Sequence, residues 1–259
     1  MLERFRAAKA EEVAALKELS ARGALPPPYR GPRPSFLASL RKKAPRAVIA
    51  EYKRASPSRG DINLGPEPEE VALAYAGAGA GAISVLTEEK WFKGHISYLE
   101  RMAAPGLPLL RKDFILHPLQ VLQTAAGPAS ALLLIARLFA DAAPLRALLR
   151  LCLDSGLEAV TEVFAPEELS LARAAGASVI QVNNRDLDAL QLDLSHSERL
   201  APHKKPGEFW ITASGIGNAA QLDRLLALGF DAALVGGALM QGADPGKSLA
   251  ALLSGGGHA

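Results

Sequence analysis

The sequence predicts an α/β protein: a single (β/α)8 TIM barrel behind an N-terminal helical extension. Length is the first observation. The 259 residues, 49% hydrophobic and 22% charged, suffice for one large barrel or two small domains with a sizeable core, and exclude intrinsic disorder. Rhythm is the second. Between residues 47 and 254 a short apolar run, a polar loop and a longer helical pattern recur eight times, and strands alternating with helices imply a parallel sheet with right-handed crossovers. The third decides between a closed barrel and an open doubly wound sheet. No G-x-G-x-x-G follows the first apolar run, so the nucleotide signature of the open fold is missing.

Residues 1–46 are read as the extension, packed on the barrel. Leu2, Phe5, Val13, Leu16 and Leu19 recur at rough helical spacing, and Gly23 with Pro26, Pro27 and Pro28 stops that helix. A second, short helix has Ser35 as its N-cap and Phe36, Leu37 and Leu40 on its apolar side. The barrel occupies 47–254. Its strands are read at 47–53, 82–87, 108–112, 131–136, 158–163, 179–183, 209–214 and 232–236, from β-type apolar runs bounded by turn residues. Pro68, Pro118, Asp141, Pro166 and Asn218 mark helix starts, and Gly156, Gly176 and Gly229 mark helix ends. Residues 255–259 read as a flexible tail.

Charge and cysteine usage narrow the function. The 29 basic and 27 acidic residues give a formal +2, far from the basic excess of a nucleic-acid binder, so a small-molecule partner is expected. Cys152 is the single cysteine and cannot form an intramolecular disulfide. The first turns are charged and no apolar run approaches the ~20 residues of a membrane span, so the chain reads as soluble and cytoplasmic. Cys152 sits in an apolar helical stretch and reads as a packed thiol. His95, His117, His196, His203 and His258 lack ligand spacing, so no metal is expected. Trp91 and Phe92, after the second strand, can cover a ligand or pack on the first helix.

Polar residues concentrate at the carboxyl ends of the strands, where the loops of a parallel barrel form an open cup. The first strand ends in Glu51 and Lys53, the third in Lys112 and Asp113, the fifth in Glu162, the sixth in Asn183 with Arg185 just beyond, and the seventh in Ser214. Alternation places Glu51 with Lys53, Lys112 with Leu110, Glu162 with Val160 and Asn183 with Gln181 on common faces, so each can crown an inward column. Ser214-Gly215-Ile216-Gly217 after strand seven and Gly236-Gly237 after strand eight lie where this fold commonly binds phosphate. A side chain at Gly236 is expected to obstruct that phosphate and to raise KM.

The motif Ile49-Ala50-Glu51-Tyr52-Lys53-Arg54-Ala55-Ser56-Pro57-Ser58-Arg59-Gly60 closely resembles the first-strand signature of the indole-3-glycerol phosphate synthase family. Leu109-Leu110-Arg111-Lys112-Asp113-Phe114, Asn183-Asn184-Arg185-Asp186-Leu187, Ser214-Gly215-Ile216 and Gly236-Gly237-Ala238-Leu239-Met240 resemble its later motifs in order. The resemblance implies a phosphosugar substrate, 1-(2-carboxyphenylamino)-1-deoxyribulose 5-phosphate, closed to an indole with loss of carbon dioxide and water and with no cofactor. It implies that Lys112 is the acid for ring closure, that Glu162 is the catalytic glutamate, and that Lys53, held by Glu51, meets the substrate carboxylate. Asn183 would orient sugar hydroxyls and Phe114 would lie against the aromatic ring. Ser56, Ser58, Arg185, Leu187 and Ser214 would line the cup, with Gly215, Gly236 and Gly237 on the phosphate. A monomer is expected, a homodimer being the alternative.

The chain departs from the family pattern at three positions. Ala213 stands where members usually have glutamate, Gln181 where glycine is common, and Gly237 where serine or threonine is common. Alternation points residues 181 and 213 inward on neighbouring strands, so the two read as an exchange of large and small side chains, with Gln181 filling the space at 213. The lost carboxylate also opens a different class of function, a barrel that binds the phosphate ligand with reduced or lost turnover. A third candidate, phosphoribosylanthranilate isomerase, uses a cysteine base at a strand end, and Cys152 is misplaced for that.

Overall fold

The computed structural model describes residues 2–255, so most of the expected tail, 256–259, lies outside the described residues. Eight parallel strands close a barrel: β1 Val48–Tyr52, β2 Ala82–Leu86, β3 Leu109–Lys112, β4 Ala131–Ile135, β5 Glu158–Val163, β6 Val179–Asn183, β7 Phe209–Ala213 and β8 Ala232–Val235. Each strand pairs with its neighbours in sequence, and β1 pairs with β8. Inward Ile49, Leu110, Leu133, Val160, Ile211 and Leu234 fill the interior. Outward Val48, Val85, Leu132 and Ile180 pack beneath helices. Burial on both faces explains why the strands read as continuous apolar runs and not as an alternating pattern.

Helices α1 Leu2–Ala21 and α2 Phe36–Lys42 precede the barrel. The helices that follow are α3 Pro68–Gly77, α4 Tyr98–Arg101, α5 Pro118–Ala125, α6 Ala142–Asp154, α7 Pro166–Ala175, α8 Ser195–Leu200, α9 Ala219–Ala227, α10 Gly237–Met240 and α11 Pro245–Ser254. Start signals act through local chemistry: the Asp141 and Asn218 side chains accept from the backbone N–H of Ala143 and Gln221. Gly176, at φ +99°, ends α7 in the left-handed region that glycine favours. The structure adds a short hairpin, Ala55–Ser56 against Gly60–Asp61, inside the loop after β1. Helix α4 has four residues.

Both helices of the extension are anchored to the barrel. At the amino end, Ser35 accepts from the Ala38 N–H, and the Glu158 carboxylate, on the first residue of β5, takes the N–H of Phe36 at 2.6 Å and of Leu37 at 3.0 Å. That cap holds α2 across the barrel floor, where Phe36 and Leu40 are wholly buried. Each such side chain contributes about 1.5–3 kcal/mol.

Helix α1 docks near the other end through buried charges. Lys9 Nζ lies 2.6 Å from Asp113 Oδ1 and 2.6 Å from Glu12 Oε2, and Arg111 Nη2 lies 3.0 Å from both Glu12 Oε1 and Asp113 Oδ2. Arg111 also donates to Gln123 and Thr124, and Thr87 donates to Asp113. Removing water from these groups is costly, and the mutual pairing of both signs is what offsets it. Asp113 directly follows Lys112, so the network grips the chain beside the cup.

Candidate active site

A cavity of roughly 1180 Å³, part of it open to solvent, lies at the carboxyl ends of the strands. It is lined by Glu51, Lys53, Ser56, Ser58, Lys112, Glu162, Asn183, Arg185, Leu187, Ser214, Gly215, Gly236 and Gly237, so thirteen of the fourteen sequence-predicted residues meet there. Phe114 does not line it. The Phe5 ring of α1 lies flat on Phe114, centroids 4.0 Å apart at 14°, and Phe5 with Phe92 forms the aromatic wall instead. Trp91 packs edge-on against Phe5, so the pair after β2 divides its roles between cavity and helix.

Two lysine–glutamate pairs face the cavity. Lys53 Nζ is 3.5 Å from Glu51 Oε1, and Ser84 Oγ donates to Glu51 Oε2 at 3.4 Å. Lys112 Nζ is 3.5 Å from Glu162 Oε2. Asn183 Nδ2 donates to Glu162 Oε1 at 3.1 Å and Gln181 Nε2 to Glu162 Oε2 at 2.5 Å. The two lysines are tuned in opposite directions. Burial pushes the Lys53 ammonium below the ordinary lysine range, with Lys112 and Arg185 adding to that effect and Glu51 opposing it. Burial also acts against charge on Lys112, but Glu162 and Glu51 together outweigh it and hold this ammonium above the ordinary range.

The charged residues on the wall are Lys53, Arg59, Lys112 and Arg185 against Glu51 and Glu162. Four cations over two carboxylates leave the cup net positive, which suits a ligand carrying more than one anionic group. Burial and the neighbouring Arg59 push the Arg185 guanidinium down from its usual value. Arg59 and the wall residue Phe5 are functional candidates that sequence reasoning passed over. Arg59 sits within the first-strand motif, whereas nothing in the α1 pattern distinguishes Phe5 from a core residue.

The phosphate loops differ in what their glycines accommodate. Ser214 and Gly215 both take positive φ, +71° and +84°, and a Cβ on Gly215 would lie 2.8 Å from Leu192. Ser214 carries backbone strain at a cavity wall, as functional residues often do. A Cβ on Gly236 would lie 2.4 Å from Glu51 Oε1. Gly236 therefore makes room for Glu51 and not, as expected from sequence, for phosphate alone. Gly236→Ala should push Glu51 from Lys53 and lower kcat by roughly 10- to 100-fold, since small misplacements at a reacting centre cost that much. A change confined to KM would show that Glu51 keeps its place. At Gly237 the nearest atom to a Cβ is Arg59 Nη1 at 3.6 Å, an ordinary contact.

Other polar groups lie elsewhere. Cys152 is buried, its thiol pushed up to about 12 by burial, and is unreactive. His117 caps α5 and His196 stacks on Phe164. No group of three or more His, Cys, Asp or Glu able to hold a metal ion occurs among the described residues, and no described helix is long and apolar enough to cross a membrane.

Comparison with known proteins decides among the barrels that could carry such a cup. The family model for indole-3-glycerol phosphate synthase matches residues 2–252. The chain belongs to that family. It is 40% identical over 250 residues to the indole-3-glycerol phosphate synthase of Mycolicibacterium smegmatis, covering 96% of this chain and 89% of the relative. It is 42% identical over 209 residues to that of Carboxydothermus hydrogenoformans, covering 80% and 79%. Family membership makes the chain a carboxy-lyase of tryptophan biosynthesis. Among solved structures, 3-hexulose-6-phosphate synthase from Salmonella typhimurium superposes with a TM-score of 0.61 at 16% identity over 80% of this chain and 96% of that one. Thiamine phosphate pyrophosphorylase from Pyrococcus furiosus gives 0.57 at 20% identity, covering 83% and 96%. These two likenesses speak to the barrel fold alone.

Proposed function

We propose that the cup closes the five-membered ring of 1-(2-carboxyphenylamino)-1-deoxyribulose 5-phosphate, releasing carbon dioxide and water to give indole-3-glycerol phosphate. The observation that carries the proposal is the pair of oppositely tuned lysines, each beside its own glutamate, in one net-positive cavity. Lys112, kept protonated by Glu162 and Glu51, donates to the ketone oxygen as the carboxyl-bearing ring carbon attacks the ketone carbon. The substrate carboxylate lies against Lys53 until it leaves as carbon dioxide. The new hydroxyl then departs as water with a proton from Lys53, while Glu162 accepts the proton that the new ring gives up. Asn183 orients the sugar hydroxyls and holds Glu162 in plane. Phe5 and Phe92 flank the aromatic ring, with Phe114 behind Phe5. Ser56, Ser58, Arg185 and Leu187 shape the cup. The phosphate lies at Ser214-Gly215 and Gly236-Gly237, within reach of Arg59.

Indole fluorescence appearing when the purified protein meets this substrate tests the reading. Binding without turnover would favour the inactive phosphate-binding barrel. Ala213 gives that alternative little support, since both lysine–glutamate pairs are complete without a carboxylate there. A monomer stays the simplest reading of the assembly, and the single buried cysteine suits the cytoplasm.

The tuning of the lysines predicts a pH dependence. Lys53 binds the carboxylate as an ammonium, so kcat/KM is full below its depressed pKa and is lost as pH rises through that value, before Lys112 titrates. The alkaline limb of kcat/KM should therefore fall below the ordinary lysine range and move upward in Lys53→Arg. A limb that ignores this substitution assigns the titration to another group.

A further inference from the structure

Gln181 stands inside the barrel on β6, wholly buried and level with Glu162 of β5 and Ile211 of β7. Ala213 is level with Asn183 instead, one step nearer the mouth, and faces the cavity. The sequence suggested that the Gln181 amide fills the space at 213; in the structure its hydrogen bond is made elsewhere. It reaches Glu162. Its Nε2 donates at 2.5 Å to Oε2, the same oxygen that Lys112 approaches at 3.5 Å, while its own Oε1 has no partner. A buried acceptor left unpaired is unfavourable, so packing alone does not account for an amide here.

We infer that Gln181 is a positioning residue for Glu162, a role that rests on the reading of the cup given above. Two amides grip one carboxylate: Asn183 holds Oε1 and Gln181 holds Oε2. Together they fix the carboxylate plane. Gln181 also competes with Lys112 for Oε2. Without the Gln181 donor, the remaining partner of that oxygen is the ammonium, and the carboxylate is free to swing onto it. A tight Lys112–Glu162 pair would neutralise acid and base against each other. The long 3.5 Å separation keeps the ammonium available to the ketone and Glu162 available to the proton it must accept.

Gln181→Met keeps the volume and removes the donor. Its kcat should fall roughly tenfold or more with KM within about threefold, because the loss lies in the reacting groups and not in phosphate or ring binding. In a Glu162→Gln background the same change should alter the residual rate less than about twofold, since a residue acting through Glu162 has nothing left to position. A kcat for Gln181→Met within twofold of wild type, or an equal loss in both backgrounds, would overturn the inference. Should the methionine variant fail to fold, the side-chain amide resonance of Gln181 in the wild type decides the matter. It should shift when Glu162 becomes Gln, and a resonance indifferent to that change refutes the contact. Wild-type turnover is measured first, so failure of the synthase reading shows there, while active Gln181 variants would remove the positioning role alone.

Discussion

Lys112→Met lowers kcat by roughly 10²-fold or more and leaves phosphate-ligand affinity within about threefold. Methionine retains the linear stem at the end of β3 and removes the proton donor that the cavity otherwise keeps charged through Glu162 and Glu51. The substitution does not strand its partner. Glu162 still accepts from Gln181 and Asn183, so the variant should fold and bind, and the deficit should lie in the chemical step. Steady-state kinetics with equilibrium binding of a phosphate-bearing product analogue separates the two. A rate within threefold of wild type would remove Lys112 from the acid role.

The largest stability effect is expected one residue further on. Asp113→Ala leaves Lys9 and Arg111 buried beside a missing carboxylate, and breaking a buried ion network in this way costs about 3–5 kcal/mol. For a protein of this size that is a fall of roughly 6–20 °C in Tm. The pH sign follows from the folded-state pKa of Asp113. Burial alone would raise it, but Arg111 and Lys9 outweigh burial and hold the carboxyl below its usual value. Its contribution is therefore fully present above the unfolded aspartate pKa, ~3.9, and is lost as pH falls through the depressed folded value. The gap in Tm between wild type and variant should be wide at neutral pH and narrow only in strong acid. A Tm within 2 °C of wild type at pH 7 would show that α1 does not depend on this network.

The barrel was legible in sequence because its determinants are local. Buried strands such as Leu132 to Ile135 write continuous apolar runs, and Asp141 and Asn218 cap helices with their own side chains. The cup was legible because strand alternation carries Glu51, Lys112, Glu162 and Asn183 to one place. What escaped depends on partners distant along the chain. Phe5 becomes a cavity wall because a network some hundred residues away orients α1, and Phe114 is covered for the same reason. That Gly236 also makes room for Glu51 escaped because Glu51 lies on the strand that closes the barrel, far away along the chain. The inward direction of Gln181 followed from alternation, but its hydrogen bond to Glu162 depended on register, which one sequence does not reveal.

The docking of α1 has a consequence for the order of events at the ribosome. Arg111 and Gln120, which take Glu12, lie 99 and 108 residues after it, and the Leu138 carbonyl that accepts from Arg6 lies 132 residues on. At ~5–20 residues per second, α1 waits on the order of 5–25 s after its own synthesis before its partners exist. For that interval Phe5 and Leu16, both buried at the end, have no barrel to cover them. Helix α1 is thus made well before the groups that hold it, and the Phe5 wall of the cup has to wait until the chain has been made as far as Leu138.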